Sequence, residues 1–264
     1  MPKVSEIRDY FDGKAPYYTK FDFDNVGMLL GFCEKKVHSV LVALDITDWV
    51  VDEAVQSGVD LIVSHHPLWF DGLKKVTDDD EKGRKIIRML TSGISSICLH
   101  TNMDTADGGV NDALMAALGA RVTGLLDPHG VHPDGRPYGV SRLGEMEQPV
   151  DFREFLYRAK TALHSNGLRY HNAGRAVHKI ACCGGSGGSD MQKAFYAGCD
   201  TFVTADLKYD QFLWAREYGL NLIDGDHFCT ENLVVPVMAD MLRNEYPELE
   251  VHVSASHDQT AQFF

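Results

Sequence analysis

The chain has 264 residues, of which 44% are hydrophobic, and a formal net charge of −13. This length suffices for one large or two modest domains with a sizeable core. The acidic balance disfavours nonspecific nucleic-acid binding, since phosphate backbones are repelled and no cluster of lysine and arginine offers a local exception.

The sequence shows no signal for export or membrane insertion. The first residues, MPKVSEIRDYFDGK, lack the apolar core of a secretory signal, and no run approaches the roughly 20 apolar residues that a membrane helix needs. The six cysteines form no C-x-x-C pair, and four of them lie in apolar segments. We therefore expect reduced, buried thiols in a cytoplasmic protein that does not enter the membrane.

Strand-like and helix-like segments alternate along the first half of the chain. Residues 37–47 predict a strand, and residues 49–58 predict a helix that ends at Gly58, a residue suited to a helix C-cap. The pattern continues with a strand in VDLIVSHHP (59–67), a helix in RKIIRMLTSG (84–93), a strand in ISSICLHTNMD (94–104) and a helix in VNDALMAALG (110–119). Such alternation indicates an α/β protein with a partly parallel sheet.

Residues 127–148 interrupt this alternation, because they are rich in glycine, proline and polar residues. They are the best candidate for a domain junction or an excursion from the fold. We accordingly place a first lobe at residues 1–126 and a second lobe at residues 127–264. This boundary is approximate, and whether the C-terminal segment packs back on the first lobe stays open. The next segment, 152–163, predicts a helix by its apolar stripe.

Part of the sequence recurs 140 residues further on. AVQSGVDLIVSHHP in the first half matches AFYAGCDTFVTADL in the second, with Gly58 opposite Gly198 and Asp60 opposite Asp200. Because residues and element order agree together, we favour an internal duplication over coincidence, with two similar α/β lobes packed face to face. Ligand sites of α/β sheets lie beyond the carboxyl ends of their strands. We therefore expect the polar strand ends of the two lobes to meet in one cleft.

The ends of four predicted strands carry histidine or carboxylate side chains. They are His65 and His66; His100 and Asp104; Asp206; and Asp226, His227 and Glu231. Mixed nitrogen and oxygen ligands suit Zn²⁺, Mn²⁺ or Fe²⁺, and several carboxylates around more than two histidines suit two metals better than one. A single histidine is more often a packed or hydrogen-bonded residue, but three separated clusters after strands are hard to explain by packing. The sequence therefore predicts a metal site.

The glycine-rich segment 184–190, GGSGGSD, follows a predicted strand and precedes a predicted helix. Glycines in such a turn let backbone N–H groups approach an anion at the start of a helix. The candidates for binding a phosphate or substrate are Gly184, Gly185, Ser186 and Gly187. A tight strand-to-helix turn is the alternative, because the motif is neither G-x-G-x-x-G nor a Walker A loop.

Two further segments are unusual without predicting a site. His129 and His132 lie in the Pro/Gly-rich segment with no carboxylate nearby, and we interpret them as solvated. FDFDNVGMLLG (21–31) joins acidic residues and asparagine to a glycine and an apolar run. Taken alone, that segment predicts only a loop followed by a strand.

Six segments together resemble the Nif-three-like dinuclear metal-centre proteins, also called GTP cyclohydrolase 1 type 2 homologues. They span nearly the whole chain in the family's order and read DNVGMLLG, SHHPLWF, HTNMDTADGGVNDALMAALG, CCGGSGGSD, TADLKYD and GDHFCTE. The resemblance implies a duplicated α/β fold with two divalent metals per chain between the lobes, and the ligand types leave zinc, iron and manganese as the candidates. It also implies a ring-shaped homohexamer.

The resemblance also assigns roles to particular residues. The implied metal ligands are His65, His66, Asp104, His227 and Glu231, with Glu231 bridging the two metals. His100 matches a position beside these ligands, which implies that it supports a ligand or transfers a proton.

Two residues depart from the family's pattern within TADLKYD. Ala205 stands where the family usually has glycine, and Asp210 stands where many members have histidine. If that histidine helps to bind substrate or to transfer a proton, the activity of this chain would differ from that of its relatives. The implied metal ligands are all present.

Two metals with open coordination positions usually activate water. We therefore expect a metal-dependent hydrolase that acts on a small molecule, with nucleotides and phosphoesters as the candidate substrates. The family name points to opening of the guanine ring of GTP, and Lys208 and Arg142 are candidate cations for a phosphate. Whether the protein is an enzyme stays open, although we lean toward one. The alternative is a non-catalytic metal carrier or an interaction scaffold whose metals hold the lobes together.

Overall fold

The structure is a computed structural model that describes residues 1–263, and it contains two main β-sheets, each in its own unit of the chain. Unit 1 consists of residues 1–106 and 234–258, and unit 2 consists of residues 107–233 with the segment that begins at Gln259. The chain thus leaves unit 1 before the expected boundary at 126/127. It returns to unit 1 at Val234, so most of the C-terminal segment belongs with the N-terminal residues.

The secondary structure alternates as the sequence predicts. The helices are α1 (Val4–Lys14), α2 (Asp48–Ser57), α3 (Glu81–Thr91), α4 (Thr101–Thr105), α5 (Val110–Ala117), α6 (Phe152–Ala162), α7 (Met191–Tyr196), α8 (Tyr209–Tyr218), α9 (His227–Glu231) and α10 (Val234–Glu245). Two short 3-10 helices cover Tyr17–Thr19 and Gly188–Asp190.

Most of the strands have four to six residues. They are β1 (Gly27–Leu30), β2 (Ser39–Ala43), β3 (Leu61–Ser64), β4 (Ser95–Cys98), β5 (Arg121–Leu125), β6 (Gly130–Val131), β7 (Pro137–Tyr138), β8 (Arg142–Val150), β9 (Arg169–His171), β10 (Val177–Cys182), β11 (Thr201–Thr204), β12 (Asn221–Asp224) and β13 (Glu250–Val253).

The sheet of unit 1 has the strand order β1-β4-β3-β2-β13. Four of these strands are parallel, and β1 pairs antiparallel with β4 at one edge. Every residue of β3 and β4 is buried, as expected for parallel strands that helices cover on both faces. The predicted helix and strand around Gly58 are confirmed, because Gly58 caps α2 with a φ of +65° and β3 follows directly.

Helices α2 and α3 pack on the sheet of unit 1 through one apolar cluster. Its buried members include Leu41 and Ile62 from the strands, Val50 and Ala54 from α2, and Ile86 and Met89 from α3. Each such side chain stabilises the fold by about 1.5–3 kcal/mol when it leaves water. This packing fixes the carboxyl ends of β2 and β3, from which polar side chains of the candidate site emerge.

The sheet of unit 2 has the order β5-β8-β10-β11-β12-β9, and β10, β11 and β12 are parallel. Residues 142–148, part of the segment expected to be a domain junction or an excursion, instead form most of β8, which pairs antiparallel with β5 and β10. The burial of this strand could not be predicted from its charged residues, because one of them, Arg142, is itself buried. Its Nε donates to Asp112 at 2.6 Å, so the guanidinium serves the interior of unit 2 and not a phosphate.

The two units share a set of backbone contacts at positions 140 residues apart. The carboxylate of Asp60 accepts hydrogen bonds from the backbone N–H groups of residues 38–39 in unit 1. The carboxylate of Asp200 accepts hydrogen bonds from those of residues 178–179 in unit 2. In each unit an aspartate before one strand thereby satisfies backbone donors at the start of the neighbouring strand.

Two observations bear on the remaining expectations about the chain. None of the helices within residues 1–263 is both long and apolar enough to cross a membrane. Five of the six cysteines are buried, and only Cys33 is exposed. No disulfide joins any of them in the described part of the chain, in agreement with the expected reduced thiols.

Candidate metal centre

Three histidines come together at the carboxyl end of the unit 1 sheet. His65 and His66 directly follow β3, and His100 follows β4. One ring nitrogen from each histidine lies within 4.8 Å of the other two. His65 is buried, whereas His66 and His100 are partly exposed. Nitrogen donors this close, with one side open to solvent, are suited to binding a metal ion.

Asp104 joins this cluster from a short helix. The predicted strand 94–104 ends at Cys98, and a turn of helix, α4, begins at Thr101 with His100 as its N-cap. The helix brings Asp104 back toward the strand ends, so that its Oδ1 lies 3.6 Å from Nε2 of His65. Asp104 is itself buried, which makes its carboxylate a strong candidate for pairing with a cation.

The side chains of His65 and His66 are both oriented through Nδ1. Nδ1 of His65 donates to the carbonyl oxygen of Leu99 at 2.8 Å, and Nδ1 of His66 donates to Oδ1 of Asp45 at 2.7 Å. A carbonyl or an ionised carboxylate only accepts hydrogen bonds, so the proton sits on Nδ1. Nε2 of each ring then presents a lone pair, as a metal-binding histidine requires.

Asp24 holds His100 in the same way. Its Oδ1 lies 2.7 Å from Nδ1 of His100, and its Oδ2 accepts from the backbone N–H and hydroxyl of Thr101. Burial by itself would raise the pKa of Asp24, but the hydrogen bond and charge of His100 and the hydrogen bonds from Thr101 lower the pKa to about 2. Asp24 is therefore ionised at neutral pH and fixes the orientation of the His100 ring.

In unit 2, His227 and Glu231 lie on the same face of α9, as their spacing predicts. Nε2 of His227 lies 3.0 Å from Oε2 of Glu231. Glu231 is buried, whereas the side chain of His227 is 38% exposed. On the opposite side of the ring, Nδ1 of His227 donates to Oδ2 of Asp206 at 2.7 Å. Unit 2 thus supplies one oriented imidazole and one buried carboxylate.

Two aspartates that support α9 have left-handed backbone conformations. Asp206 has a φ of +55° and Asp226 has a φ of +73°, values that side-chain-bearing residues rarely adopt. Asp226 caps α9 by accepting the backbone N–H of Cys229, and Asp206 holds His227. Strain of this kind persists where the surrounding structure requires it, and it often marks a functional site.

The glycine-rich loop lies against Glu231. A Cβ atom at Gly185 would lie 2.1 Å from Oε1 of Glu231, so only glycine leaves room for this carboxylate. The backbone N–H groups of Gly184, Gly185 and Gly187 donate to side chains within unit 2. Ser186 and Ser189 are the exposed residues of the loop. The sequence left an anion-binding turn and a tight strand-to-helix turn as alternatives, and the contacts show that the loop also accommodates Glu231.

The structure also describes the other positions that the sequence singled out. Ala205 is buried at the end of β11, and its N–H donates to the carbonyl oxygen of Gly185. Lys208 and Asp210 are exposed at the start of α8. The histidines of the β6–β7 hairpin, His129 and His132, pack against the ring of Tyr138.

The sequence did not reveal the aspartates that orient the histidines of the candidate site. Asp45 and Asp24 were not candidates, although each holds the Nδ1 atom of a site histidine. Asp45 could have been a candidate, because it lies near the carboxyl end of the predicted strand 37–47. Asp24 lies in the segment 21–31, whose acidic residues and asparagine have no evident role within a simple loop.

The donor chemistry of both units fits divalent metal ions. The groups are imidazole nitrogens with fixed protonation and buried carboxylates, the ligand types that zinc, iron and manganese share. A carboxylate as deeply buried as Asp104 or Glu231 would be costly without a positive partner. The described residues could therefore bind metal.

Comparison with known proteins identifies the family. The family model Duf34/NIF3 (NGG1p interacting factor 3) matches residues 2–260. The chain belongs to the Duf34/NIF3 family. A Clostridium acetobutylicum protein is 32% identical over 95% of this chain and 93% of its own length. A Streptomyces coelicolor protein is 36% identical over 96% of this chain and 92% of its own length. Both are named GTP cyclohydrolase 1 type 2 homolog.

Solved structures agree with this assignment. A Bacillus cereus protein related to NIF3 matches with a TM-score of 0.93 and 24% identity, covering 100% of this chain and 99% of that one. A Staphylococcus aureus hypothetical protein matches with a TM-score of 0.89 and 26% identity, covering 99% of each chain. The α/β class and the resemblance to the Nif-three-like family are thereby confirmed.

Proposed function

We propose that this Duf34/NIF3 protein is a metal-dependent hydrolase whose two units together hold a pair of divalent ions. The proposed ligands are His65, His66, Asp104, His227 and Glu231, with Glu231 shared by both ions. The two units are proposed to descend from an internal duplication and to line one cleft. The observation that carries the proposal is that Nδ1 of each of the four site histidines lies within hydrogen-bonding distance of a carbonyl or carboxylate oxygen, the orientation that metal-binding histidines adopt.

Bound divalent ions would supply Lewis acidity and a water activated at neutral pH. His100 is proposed as a general base that would accept a proton on Nε2. Asp24 stabilises the imidazolium that results, because its carboxylate is ionised and lies 2.7 Å from Nδ1. His100 thus transfers a proton while the other histidines bind metal.

The substrate is proposed to be a small molecule, with nucleotides and phosphoesters as candidates. In the glycine-rich loop, Gly184, Gly185 and Gly187 would shape the wall beside Glu231, and the exposed Ser186 would contact the substrate. Lys208 is exposed and remains a candidate for a phosphate group. Assembly as a homohexamer in the cytoplasm is part of the same proposal, and it rests on the resemblance of the chain to its family.

The alternative, a metal carrier or scaffold without catalysis, draws on one departure from the family pattern. Asp210 stands where many members have histidine, and it is exposed at the start of α8. If catalysis in the family needs that imidazole, this chain would bind metal without hydrolysing a substrate.

The test compares two histidine variants after reconstitution with Zn²⁺, Mn²⁺ or Fe²⁺. Wild-type protein should hydrolyse at least one member of a panel of nucleotides and phosphoesters only when metal is present. His100→Asn should lower the turnover by roughly 10²–10⁴-fold, the usual contribution of a general base, while metal content is retained. His129→Asn, at an exposed histidine in the hairpin, should leave the turnover unchanged. Full metal loading without turnover on any substrate would contradict the hydrolase and support the carrier.

A further inference from the structure

Three phenylalanines form an aromatic cluster at the surface of unit 1. The rings of Phe21 and Phe23 are stacked with centroids 5.7 Å apart, and the ring of Phe70 lies 6.4 Å from that of Phe23. Phe23 is 66% exposed and Phe70 is 48% exposed. Large apolar rings rarely cluster in water without a use, since burying one such side chain is worth about 1.5–3 kcal/mol.

The cluster continues directly into the histidines of the candidate site. The ring centroid of Phe70 lies 5.6 Å from that of His100, at an interplanar angle of 62°. The His100 centroid in turn lies 5.3 Å from that of His65 and 5.4 Å from that of His66. A line of aromatic rings therefore runs from the surface at Phe23 to the proposed general base.

The backbone that carries these rings is held in place at several points. The backbone N–H of Phe21 donates to the hydroxyl of Thr101 at 3.0 Å. The side-chain amide of Asn25 donates to the carbonyl oxygen of Trp69, next to Phe70, at 2.9 Å. Asp24 lies between these contacts and is itself bound to His100. Binding to rings on a backbone fixed in this way costs less conformational entropy than binding to rings on a mobile loop.

We propose that Phe23 and Phe70 form a stacking surface for a planar heteroaromatic ring of the substrate. Aromatic side chains stack on flat π systems whatever the substituents of the ring, and such stacking is a recurrent way to hold a nucleobase. The surface ends at His100, so a ring bound there would bring an attached bond close to the proposed general base. This inference rests on the proposed hydrolase, and it gives a role to the segment 21–31, a loop that leads into β1.

The test measures binding, so that it does not depend on turnover. Isothermal titration of metal-loaded protein compares guanosine, adenosine and cytidine 5′-monophosphates with ribose 5-phosphate, which lacks only the ring. Wild-type protein should bind at least one nucleotide 5-fold or more tightly than ribose 5-phosphate. The double variant Phe23→Ala/Phe70→Ala should bring this ratio close to one and leave the affinity for ribose 5-phosphate unchanged.

Two further variants separate stacking from a general loss of apolar surface. Phe23→Trp should keep or increase the ratio, because the indole is also a flat aromatic ring. Phe32→Ala, which removes a ring that is equally exposed at 48%, should leave the ratio unchanged. Metal content should be the same in all variants.

Four results would overturn the stacking surface. They are equal affinities of wild-type protein for nucleotides and ribose 5-phosphate, an unchanged ratio in the double variant, a fall in its metal content, or a change in its sedimentation mass that shows another copy covering the rings. Failure of the hydrolase is distinguishable, because a nucleotide preference lost in the double variant without any metal-dependent turnover would refute catalysis and keep the surface.

Discussion

In unit 1, β3 is followed by His65 and His66, whereas in unit 2, 140 residues further on, β11 is followed by Ala205 and Asp206. The same edge position therefore presents an imidazole in one unit and a carboxylate in the other. Asp206 still serves the site, because it orients His227 on α9. Unit 1 supplies its nitrogen donors from strand ends, and unit 2 supplies its donors from a helix.

The comparison separates positions that the scaffold needs from positions that chemistry can alter. Asp60 and Asp200 satisfy backbone donors in both units, so replacing either would leave N–H groups without acceptors. Residues just beyond a strand end use only their backbone to continue the sheet, as the N–H groups of His65 and His66 do toward the carbonyl oxygens of Ala43 and Leu44, so their side chains are open to different roles. Both units accordingly keep a five-residue helix after the next strand, α4 and α9, with different residues as N-caps.

The largest effect is expected where unit 2 has a glycine in contact with its buried carboxylate. Gly185→Ala would place a Cβ 2.1 Å from Oε1 of Glu231, at a φ of +61°. We expect the free energy of unfolding to fall by about 2–4 kcal/mol and the bound metal to decrease. Gly198→Ala is the control, because Gly198 has a φ of +85° with no atom within 4 Å, and its cost should be about 1 kcal/mol. Equal losses in urea unfolding would refute the contact with Glu231.

A second prediction tests whether the two units orient their histidines equally. Asp45→Asn and Asp206→Asn each remove a carboxylate that accepts from Nδ1, of His66 and His227 respectively. Each should weaken metal binding by roughly 10–100-fold in competition with a chromophoric chelator, since such partners fix the ring and raise its basicity. Asp78→Asn, in an exposed loop, should have no effect. Unchanged affinity in both site variants would show that these carboxylates do not support metal ligands.

The smallest effect concerns the paired aspartates of the scaffold. Burial raises the pKa of Asp60, but the ion pair with Lys35 and the N–H groups of residues 38–39 outweigh it and lower the pKa. Its stabilising effect is therefore complete above the ordinary carboxyl pKa of about 3.9 and is lost as the pH falls through the lower folded value. Asp60→Asn should cost about 1.5 kcal/mol at pH 7.

Thermal unfolding at several pH values checks this dependence. The difference between wild type and Asp60→Asn should shrink below pH 4, whereas a difference that persists at pH 2 would contradict the ionised role. Asp200→Asn should cost less at pH 7, about 1 kcal/mol, because Asp200 accepts backbone N–H groups and the Thr201 hydroxyl without the lysine that Asp60 has.

Elements with a strong local pattern could be predicted from the sequence, and elements that depend on distant partners could not. The apolar spacing before Gly58 and the buried run after it predict α2 and β3, and both are present. By contrast, β8 was missed because the charge of the buried Arg142 is paired with Asp112, 30 residues earlier in the chain. Local propensity has no access to such a pairing.

The candidate site shows the same division. His65 and His66 directly follow a predicted strand and His227 lies shortly after another, so all three are recognisable. The supporting carboxylates are harder to predict, since Asp24 lies 76 residues from His100 and Asp45 lies 21 residues from His66. Only the folded sheet brings these pairs within hydrogen-bonding distance, so the sequence suggests the ligands while the structure identifies the residues that orient them.

The central claim is most directly tested by the metal content per chain, measured by plasma mass spectrometry on protein purified without chelator or nickel. The account predicts close to two equivalents for wild type and the loss of at least one equivalent in His66→Ala with the fold retained. In Glu231→Gln both equivalents should be disturbed together, because that carboxylate is proposed to bridge the ions. Well under one equivalent in wild type, even after reconstitution with Zn²⁺, Mn²⁺ and Fe²⁺, would contradict the dinuclear centre and the hydrolase built on it.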